Sequence, residues 1–338
     1  MSPDPASERA RVHALLKLHG WNASSFQTLA SDFSYWFDGE DACVGYVDTG
    51  KAWVAAGAPI ARPDRIAAVA PRFVEAARAQ RRRASFFGTE ERFTAVVPFG
   101  ALHIGEQPVW NPQRWEDVLR SSADLREQLR RAQAKGVLVR ELLPGELGAS
   151  GNLTRLQLEA LMQRWLDARP LPPMRFLVQL DPFTFLDDKR CWVAEREGQP
   201  VGLLVTVPVY QRQGWLFENL LRDARTPNGT TELLIASAMR AVGQEGCSYV
   251  TLGLVPLSGP VGALLRAARF LGRGLYDFEG LRRFKTKLKP TTWSAIFLSV
   301  PAPQPKALAI LDVLAAFAGG SLGAFGLRAL WSRPSTSR

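Results

Sequence analysis

Two short apolar runs, 42–47 and 52–60, flank the turn residues Asp48, Thr49 and Gly50, and the pattern predicts a β-hairpin. The period then changes. Between 66 and 80 the residues Ile66, Val69, Ala70, Phe73, Val74 and Ala77 recur every three or four positions, the spacing of one buried helix face, and Pro63-Asp64 supplies a start. A strand at 84–88, a β-rich stretch at 95–104, a charged helix at 122–135 closed by Gly136 and a strand at 137–142 follow. Residues 143–152, rich in Gly and small side chains, read as a junction. Beyond it, 153–169 has helical spacing with Thr154 as the cap and ends at Pro170, Pro172 and Pro173. Strands at 191–195 and 201–209 flank the turn Glu197-Gly198-Gln199-Pro200, and 214–221 supplies a third. An amphipathic helix at 230–244 stops at Gly246, and 249–254 is a compact apolar strand.

The second half thus repeats the order of the first: antiparallel strands, a helix, then a strand placed to pair beside the third. One crossover helix per half on a mixed sheet is the layout of the acetyltransferase superfamily. The expected class is therefore α/β (an α+β mixed sheet) built as two tandem acetyltransferase-like (GNAT) domains. The expected boundaries are 1–148 and 149–303, with 304–338 as an apolar helix and tail. Length agrees, because 338 residues at 46% hydrophobic content fill two ordinary cores.

Charge narrows the partners. Lys and Arg number 42 against 32 Asp and Glu, a net charge of +10, which points to an anionic partner such as nucleic acid or an anionic membrane surface. Cys43, Cys191 and Cys247 stand far apart with no CxxC spacing, so neither a zinc site nor a disulfide framework is indicated and a reducing cytosol fits. The first twenty residues lack the apolar segment of a secretory signal. The tract 307–327 is strongly apolar, but Asp312 and the glycines at 319, 320, 323 and 326 favour a helix lying on a membrane or packed on the protein over a spanning one.

Three motifs carry candidate chemistry. In the first, 217–234, a strand ends in charged residues and turns through Pro227, Asn228 and Gly229 into a helix, so that backbone N–H groups, capped by Thr230 or Thr231, face an approaching anion. Arg222 and Arg225 add forks suited to phosphate, and Glu218, Asp223 and Glu232 are its acids. The basic, glycine-rich loop expected for coenzyme A pyrophosphate is absent, which argues against acetyl-CoA as donor. In the second, 252–259, a strand stops at Pro256 with Ser258 just beyond. No His or Asp stands at triad-like spacing, so Ser258 reads as a positioning group or merely a cap. In the third, 275–290, the five cations Arg282, Arg283, Lys285, Lys287 and Lys289 fall within eight residues, interleaved with Tyr276, Phe278 and Phe284. They offer phosphate contacts and stacking surfaces for a nucleic-acid end or for lipid phosphates.

Together with Gly57-Ala58-Pro59-Ile60 and Ser85-Phe86-Phe87-Gly88 upstream, these motifs resemble the landmarks of the aminoacyl-phosphatidylglycerol synthases, also called multiple peptide resistance factors. Their counterparts here are 57–60, Leu221-Arg222 with Pro227 to Gly229, 252–258, and 278–293 ending in Trp293. The resemblance spans roughly 20–300. It departs at Ala58, where the family carries an acid, and at Ile296-Phe297, where Arg-Tyr is usual. The family's N-terminal multi-span flippase is also missing, so the chain is expected to be an excised catalytic part or a stand-alone relative. The resemblance implies an aminoacyl-tRNA donor, phosphatidylglycerol as acceptor, and a cytoplasmic, peripheral place on the inner face of the membrane, without metal or cofactor. On this expectation Asp223 or Glu279 recognises the amino acid's ammonium or accepts a proton, with Arg225 beside them. Arg222, Arg225, Lys285 and Lys287 hold phosphates, and Glu218, Asn228, Gly229, Glu232, Ser258 and Arg282 complete the substrate site. The competing expectations are a soluble or different lipid acceptor for the same donor, and a non-catalytic lipid- or RNA-binding module.

Overall fold

A computed structural model describes residues 5–148, 151–169, 175–262, 265–266 and 277–320. The proline cluster, Tyr276 and the 321–327 part of the apolar tract lie outside the described residues. In chain order the elements of the first half are α1 (Pro5–His19), β1 (Ser34–Phe37), β2 (Cys43–Asp48), β3 (Ala52–Ala56), α2 (Ile66–Ala79), β4 (Arg83–Thr89), the single turn α3 (Glu91–Thr94) and β5 (Gly100–Trp110). They continue through α4 (Trp115–Ser121), α5 (Ala123–Ala134), β6 (Leu138–Leu142), the short α6 (Pro144–Gly148), α7 (Leu153–Asp167), β7 (Arg190–Arg196), β8 (Gln199–Val209) and β9 (Gly214–Arg222). The remainder comprises α8 (Thr230–Gln244), β10 (Tyr249–Thr251), β11 (Val255–Pro256), α9 (Phe278–Lys287), β12 (Thr292–Val300) and α10 (Lys306–Phe317).

Among the described residues the twelve strands join one mixed sheet in the order β1-β2-β3-β4-β12-β5-β10-β9-β8-β7-β6, with β11 attached to β5. The repeat expected from the sequence is present. In the first half β1, β2 and β3 run antiparallel, and α2 crosses over so that β4 pairs parallel to β3. In the second, β7, β8 and β9 run antiparallel, and α8 crosses over so that β10 pairs parallel to β9. The closing strands change sides. β5 pairs with β10 of the second half, and β12 returns to lie between β4 and β5.

Burial explains the elements. In α2 the six residues of the predicted stripe are the six that are buried, and they pack with Trp53, Phe86 and Phe93 on one face of the first half. In the second half, Leu234 and Met239 of α8 meet Trp115 of α4 and Leu125 of α5 on one face, and Leu158 and Leu161 of α7 cover the other. Four local expectations change. The stretch 95–104 is not a continuous strand: β5 begins at Gly100, because Phe93 and Val97 turn into the α2 core. The junction 143–152 contains α6. The cap of α7 is Asn152, whose Oδ1 accepts from the Thr154 N–H at 2.9 Å, so Thr154 lies within the helix. At α8 the cap position belongs to Gly229, and Thr230 donates its hydroxyl to the Pro227 carbonyl at 2.8 Å.

Helix α10 packs on the protein. Its Ala309, Val313 and Ala316 enter a core with Val54, Leu298 and Val300, and the buried Asp312 accepts two hydrogen bonds from Arg83, at 2.8 and 2.6 Å. Its outer side presents Leu308, Leu311 and Leu314, which are 40%, 49% and 47% exposed. Among the described residues no helix is long and apolar enough to cross a membrane.

Candidate functional site

Joined from the first by Glu232, the second and third motifs meet around the tip of β10. Its pairing with β5 ends at Thr251, residues 252–254 leave the ladder, and Val255 and Pro256 resume pairing opposite Glu106 and Gly105. The gap is held by Lys285 of α9, which donates to the carbonyls of Leu252, Gly253 and Leu254 at 2.6, 3.0 and 3.3 Å and is 5% exposed. Burial pulls its ammonium down to about 7, although three carbonyl dipoles favour the charged form. The α9 helix is itself fixed on several sides. Asp277 caps it through the Gly280 N–H at 2.7 Å, and Lys287 pairs with Glu232 in the first turn of α8 at 3.0 Å. Arg282 pairs with Glu106 of β5, with its guanidinium 4.9 Å over Trp293, and the Leu288 carbonyl accepts from Trp110 Nε1 at 2.8 Å. Ser258 is buried. Its Oγ donates to the Val255 carbonyl at 2.8 Å and accepts from the Glu106 N–H at 3.0 Å, which ties β11 to β5.

The Pro227-Asn228-Gly229 turn has a packing reason. Gly229 has φ +92°, and a Cβ there would lie 2.0 Å from the Gln128 carbonyl oxygen of α5. Glycine alone combines that backbone with so close an approach between two helices. Just before the turn, Asp223 accepts from the Arg225 N–H at 3.0 Å and from Arg164 Nε of α7 at 2.9 Å. The first of these bonds and then the Arg164 pairing hold its carboxyl below the usual range, against the opposing effect of burial. Arg222, Arg225 and Asn228 are exposed, as is Glu279 in the first turn of α9.

Glu218 points elsewhere. Its neighbour Phe217 packs into the α8 core, whereas Glu218 lines a narrow cleft that opens to solvent, walled by Phe26, Phe176 and Phe185 and shared with Asp181 and Lys189. Gln27 donates its amide to both Glu218 Oε1 and the Leu177 carbonyl, at 2.9 and 2.7 Å. Burial raises the Glu218 carboxyl above the ordinary range, and the Lys189 charge opposes the rise. Lys189 is directed at the Asp181 carbonyl, and Thr184 donates to Asp181 Oδ2 at 2.9 Å. Two carboxylates between aromatic walls suit a cationic group on an apolar stem.

The structure therefore gathers Glu232, Ser258, Arg282, Lys285 and Lys287 into one framework around α9, sets Arg222, Asp223, Arg225, Asn228 and Gly229 at the end of β9, and places Glu218 in a separate cleft. Gln27, Asp181 and Lys189 were missed, because Gln27 sits in a single 3-10 turn and the other two on irregular backbone, where no periodicity marks them. Lys285 did leave a signal: Leu281, Phe284, Lys285 and Leu288 form an i, i+3, i+4, i+7 stripe, so the one cation on the apolar face is the buried one.

The corresponding tip in the first half, after β4, is closed by Asn22. Its Oδ1 accepts from the Ala58 N–H at 3.2 Å, and its Nδ2 donates to Glu90 at 3.1 Å. Glu90 in turn pairs with Arg212 from the β8–β9 connection, whose guanidinium lies 4.6 Å from the rings of Trp21 and Tyr249. Burial holds the Glu90 carboxyl above its usual range despite this partner.

Comparison with known proteins agrees with this architecture. The phosphatidylglycerol lysyltransferase of Bacillus subtilis (strain 168) is 27% identical over 152 residues, which cover 42% of this chain and 17% of that protein. The chain thus matches only a small part of that relative's length. The C-terminal domain of a protein assigned as a lysylphosphatidylglycerol synthetase from Agrobacterium fabrum superimposes with a TM-score of 0.80 at 22% identity, over 94% of this chain and 99% of that one. L-PGS from Bacillus licheniformis gives a TM-score of 0.79 at 21% identity, over 97% and 98%. At these identities the two structures speak for the fold. The family model described as phosphatidylglycerol lysyltransferase, C-terminal, matches residues 13–299, most of the chain, and the chain belongs to that family.

Proposed function

We propose that this chain transfers an aminoacyl group, lysyl by preference, from aminoacyl-tRNA to the head-group hydroxyl of phosphatidylglycerol. The observation that carries the reading is the Glu218 cleft. In a chain of this family, a carboxylate beside Asp181 between aromatic walls suits a lysyl side chain, with its cationic end on an apolar stem. The ester on a tRNA 3′ end is already activated. The lipid hydroxyl oxygen attacks the ester carbonyl carbon and forms the new C–O bond, the bond to the ribose oxygen breaks, and the hydroxyl proton ends on that departing oxygen. The chain's task is to hold the two substrates in register.

Arg222, Arg225 and Asn228, exposed at the end of β9, are assigned to substrate phosphates. Asp223 is assigned to fixing their turn, since a carboxyl held below the ordinary range by two donors is a weak proton acceptor. Glu279 keeps the role of ammonium or proton acceptor. The leucines on the outer side of α10 and the +10 charge support a peripheral contact with the anionic inner face of a membrane.

The test is direct. The purified chain is incubated with radiolabelled lysyl-tRNA and phosphatidylglycerol vesicles, and the lipid extract is examined by mass spectrometry. Lysyl-phosphatidylglycerol is expected, with less product from alanyl-tRNA. If no charged tRNA yields an amino-acid-bearing lipid, the reading is wrong.

A further inference from the structure

The geometry points to Lys285 as a positioning residue: inserted from α9, its ammonium gathers the carbonyls of Leu252, Gly253 and Leu254 and so holds the β10 tip, whose Leu254 shares an apolar cluster with Phe176 and Leu177 of the Glu218 cleft. In a regular strand successive carbonyls point in opposite directions. Here three consecutive ones converge on a single atom, with Gly253 at φ +72° making the turn. Their lone pairs repel, and buried carbonyls without donors are costly, so the arrangement needs a cation with three hydrogens at its centre. An ammonium supplies that number, and all three of its hydrogens are used.

The acids packed nearest α9 have other partners: Glu232 of α8 is taken by Lys287, and Glu106 of β5 by Arg282. The tip itself brings no charged side chain, and the lowering of the Lys285 ammonium comes from burial. The consequence reaches the cleft through packing. Leu254 and Leu257, at and just beyond the tip, lie in the same cluster as Phe176 and Leu177, which wall the Glu218 cleft. Lys285 is thus placed to act on substrate through the backbone and those side chains, without touching it.

This inference rests on the proposed transfer reaction only for its kinetic readout, and hydrogen exchange tests it independently. In K285M, amides of 252–258 should exchange about tenfold faster or more, while those of α2 stay unchanged. With lysyl-tRNA and phosphatidylglycerol vesicles, kcat should fall by about a hundredfold with KM for tRNA changed less than about threefold. In K285A, added ethylammonium should restore at least about tenfold of the lost rate and the protection of the tip together, which a merely structural loss would not allow. In the wild type, tip protection corrected for intrinsic exchange should fall as pH rises through about 7, because the neutral amine keeps two of its three hydrogens, and K285M should lack that step. Unchanged exchange at 252–258 in K285M, or a rise in tRNA KM that steepens with salt at constant kcat, would overturn the inference in favour of direct phosphate binding. Absence of transfer by the wild type would count against the proposed reaction and leave the exchange result to decide the role of Lys285.

Discussion

Replacing Gly229 by alanine separates a turn shaped for packing from one that exists for chemistry. Two costs can be worked from the structure. A residue with a side chain at φ +92° carries left-handed strain of about 1–2 kcal/mol. The new Cβ would also stand 2.0 Å from the Gln128 carbonyl oxygen. A carbon–oxygen contact settles near 3.3 Å, so α5 and the start of α8 must part by more than about 1 Å, an overpacking cost of about 1–3 kcal/mol. The sum, about 2–5 kcal/mol, is a large part of a typical domain's stability. Equilibrium urea unfolding, followed by both circular dichroism and tryptophan fluorescence, measures it. The neighbouring N228A alters an exposed side chain and should stay within about 0.5 kcal/mol of the parent. If G229A loses less than about 1 kcal/mol, the packing account of the turn is refuted. N228A should instead show its effect in transfer, as a raised KM for tRNA on a folded background.

Three further outcomes are expected. E218Q should lose about 10- to 100-fold in lysyl transfer, the value of a hydrogen bond to a charged group, measured as kcat/KM for lysyl-tRNA. The same variant should be more stable than the parent at pH 7. The folded-state pKa of Glu218 is raised, so its contribution is favourable only while the carboxyl is protonated and is lost as pH climbs through that raised value; the difference in melting temperature should vanish in acid, below the ordinary carboxylate pKa. E90A leaves Arg212 buried without its carboxylate and should cost about 3–5 kcal/mol, whereas E90A combined with R212M should recover part of that loss in a double-mutant cycle. Replacing Leu308, Leu311 and Leu314 together by glutamate should leave the fold intact by circular dichroism and weaken sedimentation with phosphatidylglycerol vesicles by about tenfold or more, while undiminished binding would assign membrane contact to another surface.

What the sequence discloses, and what it withholds, follows from what periodicity can encode. The α2 stripe and the hairpin of β2 and β3 are local, and local spacing records them residue by residue. The parallel pairs of β3 with β4 and β9 with β10 follow from the repeated order, since a single crossover helix returns a strand beside its predecessor. The exchange of β5 and β12 between halves left no such trace: a strand's pattern tells which faces are buried and says nothing of which neighbour lies alongside. The site divides in the same way. Asp181 and Lys189 join Glu218 through irregular backbone, where spacing carries no geometry.

The cationic run of α9 shows where a stricter reading of the same letters would have reached further. Taken as composition, Arg282, Arg283, Lys285, Lys287 and Lys289 are five equivalent phosphate ligands. Taken at helical period, only Lys285 shares a face with Leu281, Phe284 and Leu288, and a lysine on an apolar stripe has to find its acceptors inside the protein. Inside, they are the carbonyls of a strand that has left its ladder. Arg282 and Lys287, off that stripe, find carboxylates at the edges of the helix, on Glu106 and Glu232. Arg283 alone of the first four keeps an exposed position from which it could meet an external anion. A dense basic motif is thus not one surface. Its helical phase sorts it into a buried organiser, two docking pairs and a solvent-facing remainder, and each part answers to a different substitution.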